Sequence, residues 1–117
     1  MNGIYHICSR REWEAIRNGD RYEGSPQDRA DGFIHFSTAA QLAESAARHY
    51  AGQHDLVLLE VDAGSLGPAL KWEPSRGGQL FPHLYGPLPL TSVRRTADLP
   101  LGPDGRHVLP WGLGSGT

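Results

Sequence analysis

Scarcity narrows this chain before any motif does. A single cysteine, Cys8, excludes an internal disulfide and agrees with a reducing compartment; with no base beside it in sequence, it is a poor candidate nucleophile. Neither sign of charge dominates. Eleven Lys and Arg against 13 Asp and Glu leave a formal −2, which argues against a nucleic-acid or acidic-membrane binder but permits one small phosphate-bearing ligand. No apolar run approaches membrane-spanning length, and Met1-Asn2-Gly3-Ile4-Tyr5-His6 has neither a basic start nor a signal core. A soluble cytoplasmic protein is expected. There is no glycine-rich phosphate loop, no dinucleotide fingerprint, and no nucleophile elbow around Ser25 or Ser37. No histidine pair has the tight strand or helix spacing of a metal site, so no metal is expected, although His6, His35 and His83 with Glu73 would be the set to supply one.

Glycine (15) and proline (9), by contrast, are plentiful, with many in the second half, which should be rich in loops and short strands. A chain of 117 residues forms one domain that buries about two-thirds of its unfolded surface. Residues 1–96 read as its core and 97–117 as a loop-rich extension, with a hairpin onto His107-Val108-Leu109 and a frayed end from Gly112.

Periodicity supplies the elements. Ile4 to Cys8 reads as a strand, and Ser9 with Glu12 makes a capping box opening a helix that carries Trp13 and Ile16 and stops at Gly19. Arg21 to Ala30 has no period and reads as loop. Gly32 to Ser37 is a second strand. Thr38 and Gln41 cap a helix whose Ala39, Leu42, Ala43, Ala46, Ala47 and Tyr50 share a face, with Gly52 ending it and His49 and His54 facing solvent. Leu56 to Val61 is nearly continuous apolar, the mark of a central strand buried on both faces. Leu70 to Glu73 is a short strand, Arg76-Gly77-Gly78 a turn, and Leu88 to Val93 the last main strand. Helices early and strands late define an α+β fold: a compact single domain with two early helices on a mixed or antiparallel sheet.

The richest stretch is Phe81-Pro82-His83-Leu84-Tyr85-Gly86-Pro87, where prolines stiffen an extended backbone and His83 and Tyr85 leave it on one side. A tyrosine ring offers a stacking surface for a base or nicotinamide and a phenol to donate. His6, inside an apolar strand, is either a core-edge ring bonded to a carbonyl or a donor to a ligand hydroxyl. His35 shares a face with Phe33 and Ser37, leaving Ile34 and Phe36 for the core, and precedes a helix N-terminus suited to an anion. Glu73 is either a solvated acid or, if Trp72 and Phe81 desolvate it, a carboxyl with raised pKa fit for acid–base work.

Tyr5-His6-Ile7, Trp13, Gly19, Gly32 to Ser37, Gln41, Tyr50, Leu56 to Asp62, Trp72-Glu73 and Phe81 to Leu88 together resemble the small bacterial family known as domain of unknown function 952. More distantly, the pattern is similar to the ADP-ribosyltransferase superfamily, with Gly32 to Ala47 resembling the RNA 2′-phosphotransferase branch. The resemblance implies an ADP-ribosyltransferase-like fold, NAD as the ligand, His6 on a ribose hydroxyl, and His35 where relatives carry tyrosine. Glu73, His83 and Tyr85 compete for the third catalytic position, while Ser37 and Trp72 join His6 as ligand-binding candidates. The expected partner is a nucleotide-like small molecule bound in a cleft of histidines, with ADP-ribosyl transfer as its chemistry. The alternative is a non-catalytic module that binds a small ligand or a partner through the same cleft.

Overall fold

In the computed structural model, which describes residues 3–113, the central strand is where the sequence pattern puts it. β4 (Leu56–Asp62) pairs antiparallel with β1 (Gly3–Ser9) on one side and β8 (Val93–Asp98) on the other. Its side chains alternate between two cores. Val57, Leu59 and Val61 join Ile4, Cys8, Ile34, Phe36 and Leu84, while Leu56 and Leu58 join Tyr5, Ile7, Leu42, Ala46 and Leu99. Both faces are covered, which explains why the strand is apolar without a break.

The exception on β4 is Glu60, buried but not alone. It accepts from the Tyr5 hydroxyl at 2.9 Å and from Arg95 Nε and Nη2 at 3.0 and 3.2 Å. The Arg95 hydrogen bonds, opposed by burial, hold its carboxyl below the usual range. Arg95 in turn lies 4.0 Å over Trp111, and Leu109, Trp111 and Leu113 pack on the second core, so the C-terminal segment covers that face. Leu101 bridges to His107 within it. Residues 114–117, the greater part of the frayed end expected from Gly112, lie outside the described residues.

A second three-stranded antiparallel sheet has the order β3 (Ile34–His35), β6 (Leu80–Leu84), β5 (Leu70–Pro74). The two sheets meet at one isolated pair, Tyr5 with Ser37, whose backbone groups exchange two hydrogen bonds of 2.8 Å. A two-stranded ribbon, β2 (Arg21–Tyr22) with β7 (Leu88–Pro89), completes the strands.

Among the described residues three α-helices pack on this frame, rather than the expected two. α1 (Arg10–Ile16) and α3 (Ala39–His49) begin at the capping boxes read from Ser9/Glu12 and Thr38/Gln41. Between them lies α2 (Pro26–Asp31), inside the segment that read as loop. Its short length hides any period, but Ser25 and Asp28 form a third capping box and Pro26 occupies the first turn. α3 buries Leu42, Ser45 and Ala46, so the inner face is narrower and more polar than the alanine stripe suggested; Ala43 and Ala47 are exposed. The last main strand is also displaced. Leu88 to Val93 splits into β7 and a turn over Leu90–Ser92, and the long pairing with β4 is made by β8. The fold is therefore α+β, one compact domain of antiparallel sheets with three helices. Among the described residues, no helix is long and apolar enough to cross a membrane.

Replacing fully buried Leu59 by Ala removes packing from the strand on which both cores depend. Urea denaturation should show a loss of about 3 kcal/mol. A loss below about 1 kcal/mol would contradict a close-packed site.

Candidate functional site

Where the two sheets part beyond Tyr5 and Ser37, a cleft of about 500 Å³ opens between α2 and α3. His6 of β1, His35 of β3 and His83 of β6 all line it, together with Asp28, Asp31 and Ser37. His35 and His83 are direct cross-strand partners, with ring centroids 5.7 Å apart. Strand alternation sends Ile34, Phe36 and Leu84 into the core and leaves Phe33, His35 and His83 on the opposite face.

Asp28, absent from the sequence candidates, holds the site together. Its side chain is 4 % exposed. Oδ2 accepts from the Ser25 N–H at 2.8 Å, and Oδ1 accepts from the His35 backbone N–H at 3.2 Å and from His35 Nδ1 at 2.5 Å. His6 Nε2 stands 3.7 Å from Oδ2. Burial alone would push this carboxyl up. The His35 hydrogen bond, the charge of His6 and the backbone donors of Ser25 and His35 outweigh it and bring the pKa down to about 2. Gly24 makes room: with φ +96°, a Cβ there would lie 2.7 Å from that of Asp28. The signal in sequence was the Ser25-Pro26-Gln27-Asp28 capping box, which places an acid at the third helical position without revealing that it faces inward.

His35 Nε2 reaches a second carboxylate, Asp31 Oδ2, at 3.0 Å. Both ring nitrogens thus face acceptors, a geometry that only the imidazolium satisfies. The Asp28 hydrogen bond leads the causes that raise the His35 pKa, against the lowering effect of burial.

His6 is spent on the protein. Its Nδ1 donates to the His35 carbonyl at 2.7 Å, and in the neutral ring its Nε2 accepts from the Tyr22 hydroxyl at 3.1 Å. The donor expected for a ligand hydroxyl is already committed, and the ring acts as a brace behind His35. Ser37, also in the lining, gives its hydroxyl to Ser45 at 2.7 Å.

On the neighbouring strand pair, Glu73 Oε1 accepts from His83 Nδ1 at 2.8 Å and from the Tyr85 hydroxyl at 2.7 Å. His83 and Tyr85 do leave the backbone on one side, as their spacing requires. The carboxyl is not raised by desolvation, the condition set for acid–base work. The Tyr85 hydrogen bond, then that of His83, lowers its pKa, because Trp72 does not cover it. Trp72 pairs with Pro82 and alternation turns it to the opposite face from Glu73, where it is exposed; of the candidates His83, Glu73, Tyr85 and Trp72, His83 alone lines the cleft. Phe33 stacks on His83 at 4.0 Å and lies 5.2 Å from Tyr85, completing an aromatic group that no sequence motif announced. His49 is exposed as expected, at the rim of the cleft. No group of three or more potential metal ligands is found among the described residues. Cys8 is buried, and desolvation pushes its thiol up to about 12, away from thiolate chemistry.

The chain belongs to a family: residues 7–96 match the model for the proteins of unknown function termed DUF952. The chain is similar to CC0527 of Caulobacter crescentus. The crystal structure of that protein is 53 % identical, with a TM-score of 0.89 over 95 % of this chain and 97 % of that one. Its solution NMR structure is 55 % identical, with a TM-score of 0.81 over 91 % of each chain. Nothing matches among curated proteins.

Asp28 and His35 make stability depend on pH in opposite directions. Asp28 has a lowered folded pKa, so its contribution is complete above its unfolded value of about 3.9 and fades as pH falls toward about 2. His35 has a raised folded pKa, so its contribution is complete below about 6.5 and fades as pH rises through the folded value. In Asp28→Ala the midpoint of urea unfolding at neutral pH should fall by the equivalent of about 3 kcal/mol, and the stability gained between pH 2 and 4 should flatten. An unchanged pH profile would remove Asp28 from its central place.

Proposed function

We propose that this chain binds NAD or a related nucleotide in the histidine-lined cleft and transfers ADP-ribose from it, on an ADP-ribosyltransferase-like frame. The observation that carries the reading is the convergence of His6, His35 and His83, from three different strands, on one cavity of about 500 Å³. That size lies within the usual range for small-molecule sites, roughly 300–1,000 Å³. Two antiparallel sheets that separate beside a histidine-bearing strand and a capped helix also agree with the superfamily likeness of the sequence.

Within this reading, Phe33 and Tyr85 supply flat surface for a ring of the ligand, and Ser37, its own donors given to Ser45 and Tyr5, marks the capped N-terminus of α3, whose positive end favours a phosphate. His35 presents a fixed positive charge, and His6 holds it in place. Glu73 orients His83 from behind, with Tyr85 on the same oxygen, and the reaction, in which positive charge develops on ribose as the nicotinamide bond breaks, needs positioning more than covalent help. Trp72 has no part in this arrangement.

One feature favours a second reading, a binding module without chemistry: His6 and His35 have both nitrogens engaged by protein partners. Isothermal titration with NAD and with ADP-ribose, followed by chromatography for free nicotinamide, separates the two. Heat with both ligands and nicotinamide release supports transfer, and binding without release supports the module. Absence of heat at millimolar ligand, with no release, overturns nucleotide binding altogether.

A further inference from the structure

His83 differs from the other two cleft histidines. A carboxylate oxygen only accepts, so the 2.8 Å contact with Glu73 requires a proton on His83 Nδ1. In the neutral ring this leaves the lone pair on Nε2, and no hydrogen bond to Nε2 is found among the described residues, whereas His6 and His35 have both nitrogens engaged. The ring is held in place. Phe33 stacks on it at 4.0 Å with 28° between planes, and the edge of His35 bounds it at 5.7 Å. Tyr85 donates to the same Glu73 oxygen at 2.7 Å, fixing the carboxylate that orients the imidazole. An imidazole that lines a ligand-sized cleft, held at one nitrogen by a carboxylate behind it and free at the other, has the arrangement of a general base.

We propose that His83 is the proton acceptor of this cleft and that it serves an acceptor hydroxyl or water, with Glu73 and Tyr85 as positioning residues. The inference rests on the transfer reading and names its acceptor class. The proton of the acceptor O–H passes to His83 Nε2 as that oxygen bonds to the anomeric carbon of the ribose. The carbon–nitrogen bond breaks with its electron pair leaving on nicotinamide, and His83 then returns the proton to solvent. A carboxylate acceptor has no proton for such a base and would approach Asp28 and Asp31 against their charge.

The test uses the full chain with NAD in water, with added methanol, and with agmatine as a guanidinium acceptor. Nicotinamide release with methyl ADP-riboside formed in methanol is expected. His83→Gln should lower kcat by about a hundredfold, and Glu73→Gln, which keeps the acceptor oxygen but not the charge, by about tenfold, both with ADP-ribose affinity unchanged. Undiminished kcat in His83→Gln, or a product formed with agmatine in preference to methanol, overturns the proposal. A second measurement does not depend on NAD turnover: carbethoxylation by diethyl pyrocarbonate, read by mass spectrometry. His83 should react faster than His6 and His35, and added ADP-ribose should slow it. If His83 reacts no faster than His35, its Nε2 is not free and the base is lost, whatever NAD does. If His83 reacts as expected but NAD neither binds nor turns over, the transfer reading fails, and with it the acceptor named here.

Discussion

The carboxylate of Asp28 is the constraint on which the rest of the site depends. It closes the capping box of α2 through Ser25, fixes the backbone and ring of His35, and faces His6 from behind. A buried carboxylate is tolerated only when its oxygens are filled, and each partner that fills these oxygens is also a wall of the cleft. Satisfying one buried charge therefore builds the cavity. The short helix is anchored by its own third residue rather than by an apolar face, and Gly32, in the left-handed region at its C-terminus, lets the chain turn directly into β3.

Glu60 makes a useful contrast. It too is a buried carboxylate on a sheet, but Arg95 neutralises it, Tyr5 donates to it, and Trp111 covers the arginine. On that side the charge is closed off by the C-terminal segment. On the Asp28 side the neutralising groups are imidazoles beside an opening. Similar chemistry thus serves cohesion at one end of the sheet and a candidate site at the other, and the difference lies in what stands over each pair.

The single bridge between Tyr5 and Ser37 links these two regions. Continuous pairing there would zip the sheets together and leave no hollow. Because β3 is only two residues long and its successor residues leave to cap α3, the strands diverge after one pair. His6 then spans the junction, its ring tied to the carbonyl of His35. The cleft is a consequence of where pairing stops.

Much of the frame was legible from local pattern. Capping boxes at Ser9 and Thr38 mark helix starts because a side chain and a backbone three residues on satisfy each other locally. The unbroken apolar run of β4 announces two covered faces, and the alternation around His35 and His83 sets which side chains share a face. α2 was hidden because six residues carry no measurable period, and β8 because polar Arg95 and Thr96 pair only when β4 offers its edge. The site was legible as a set of histidines and not as a set of roles. Sequence by itself determined the family, the longer elements and the strand faces, since these follow from neighbours along the chain. Only the tertiary structure decided that Asp28 is buried, that Trp72 turns away, and that His83 alone of the three cleft imidazoles has no hydrogen bond at Nε2 among the described residues. Hydrogen-bond partners distant in sequence are assigned by packing, and packing is not written in any local spacing.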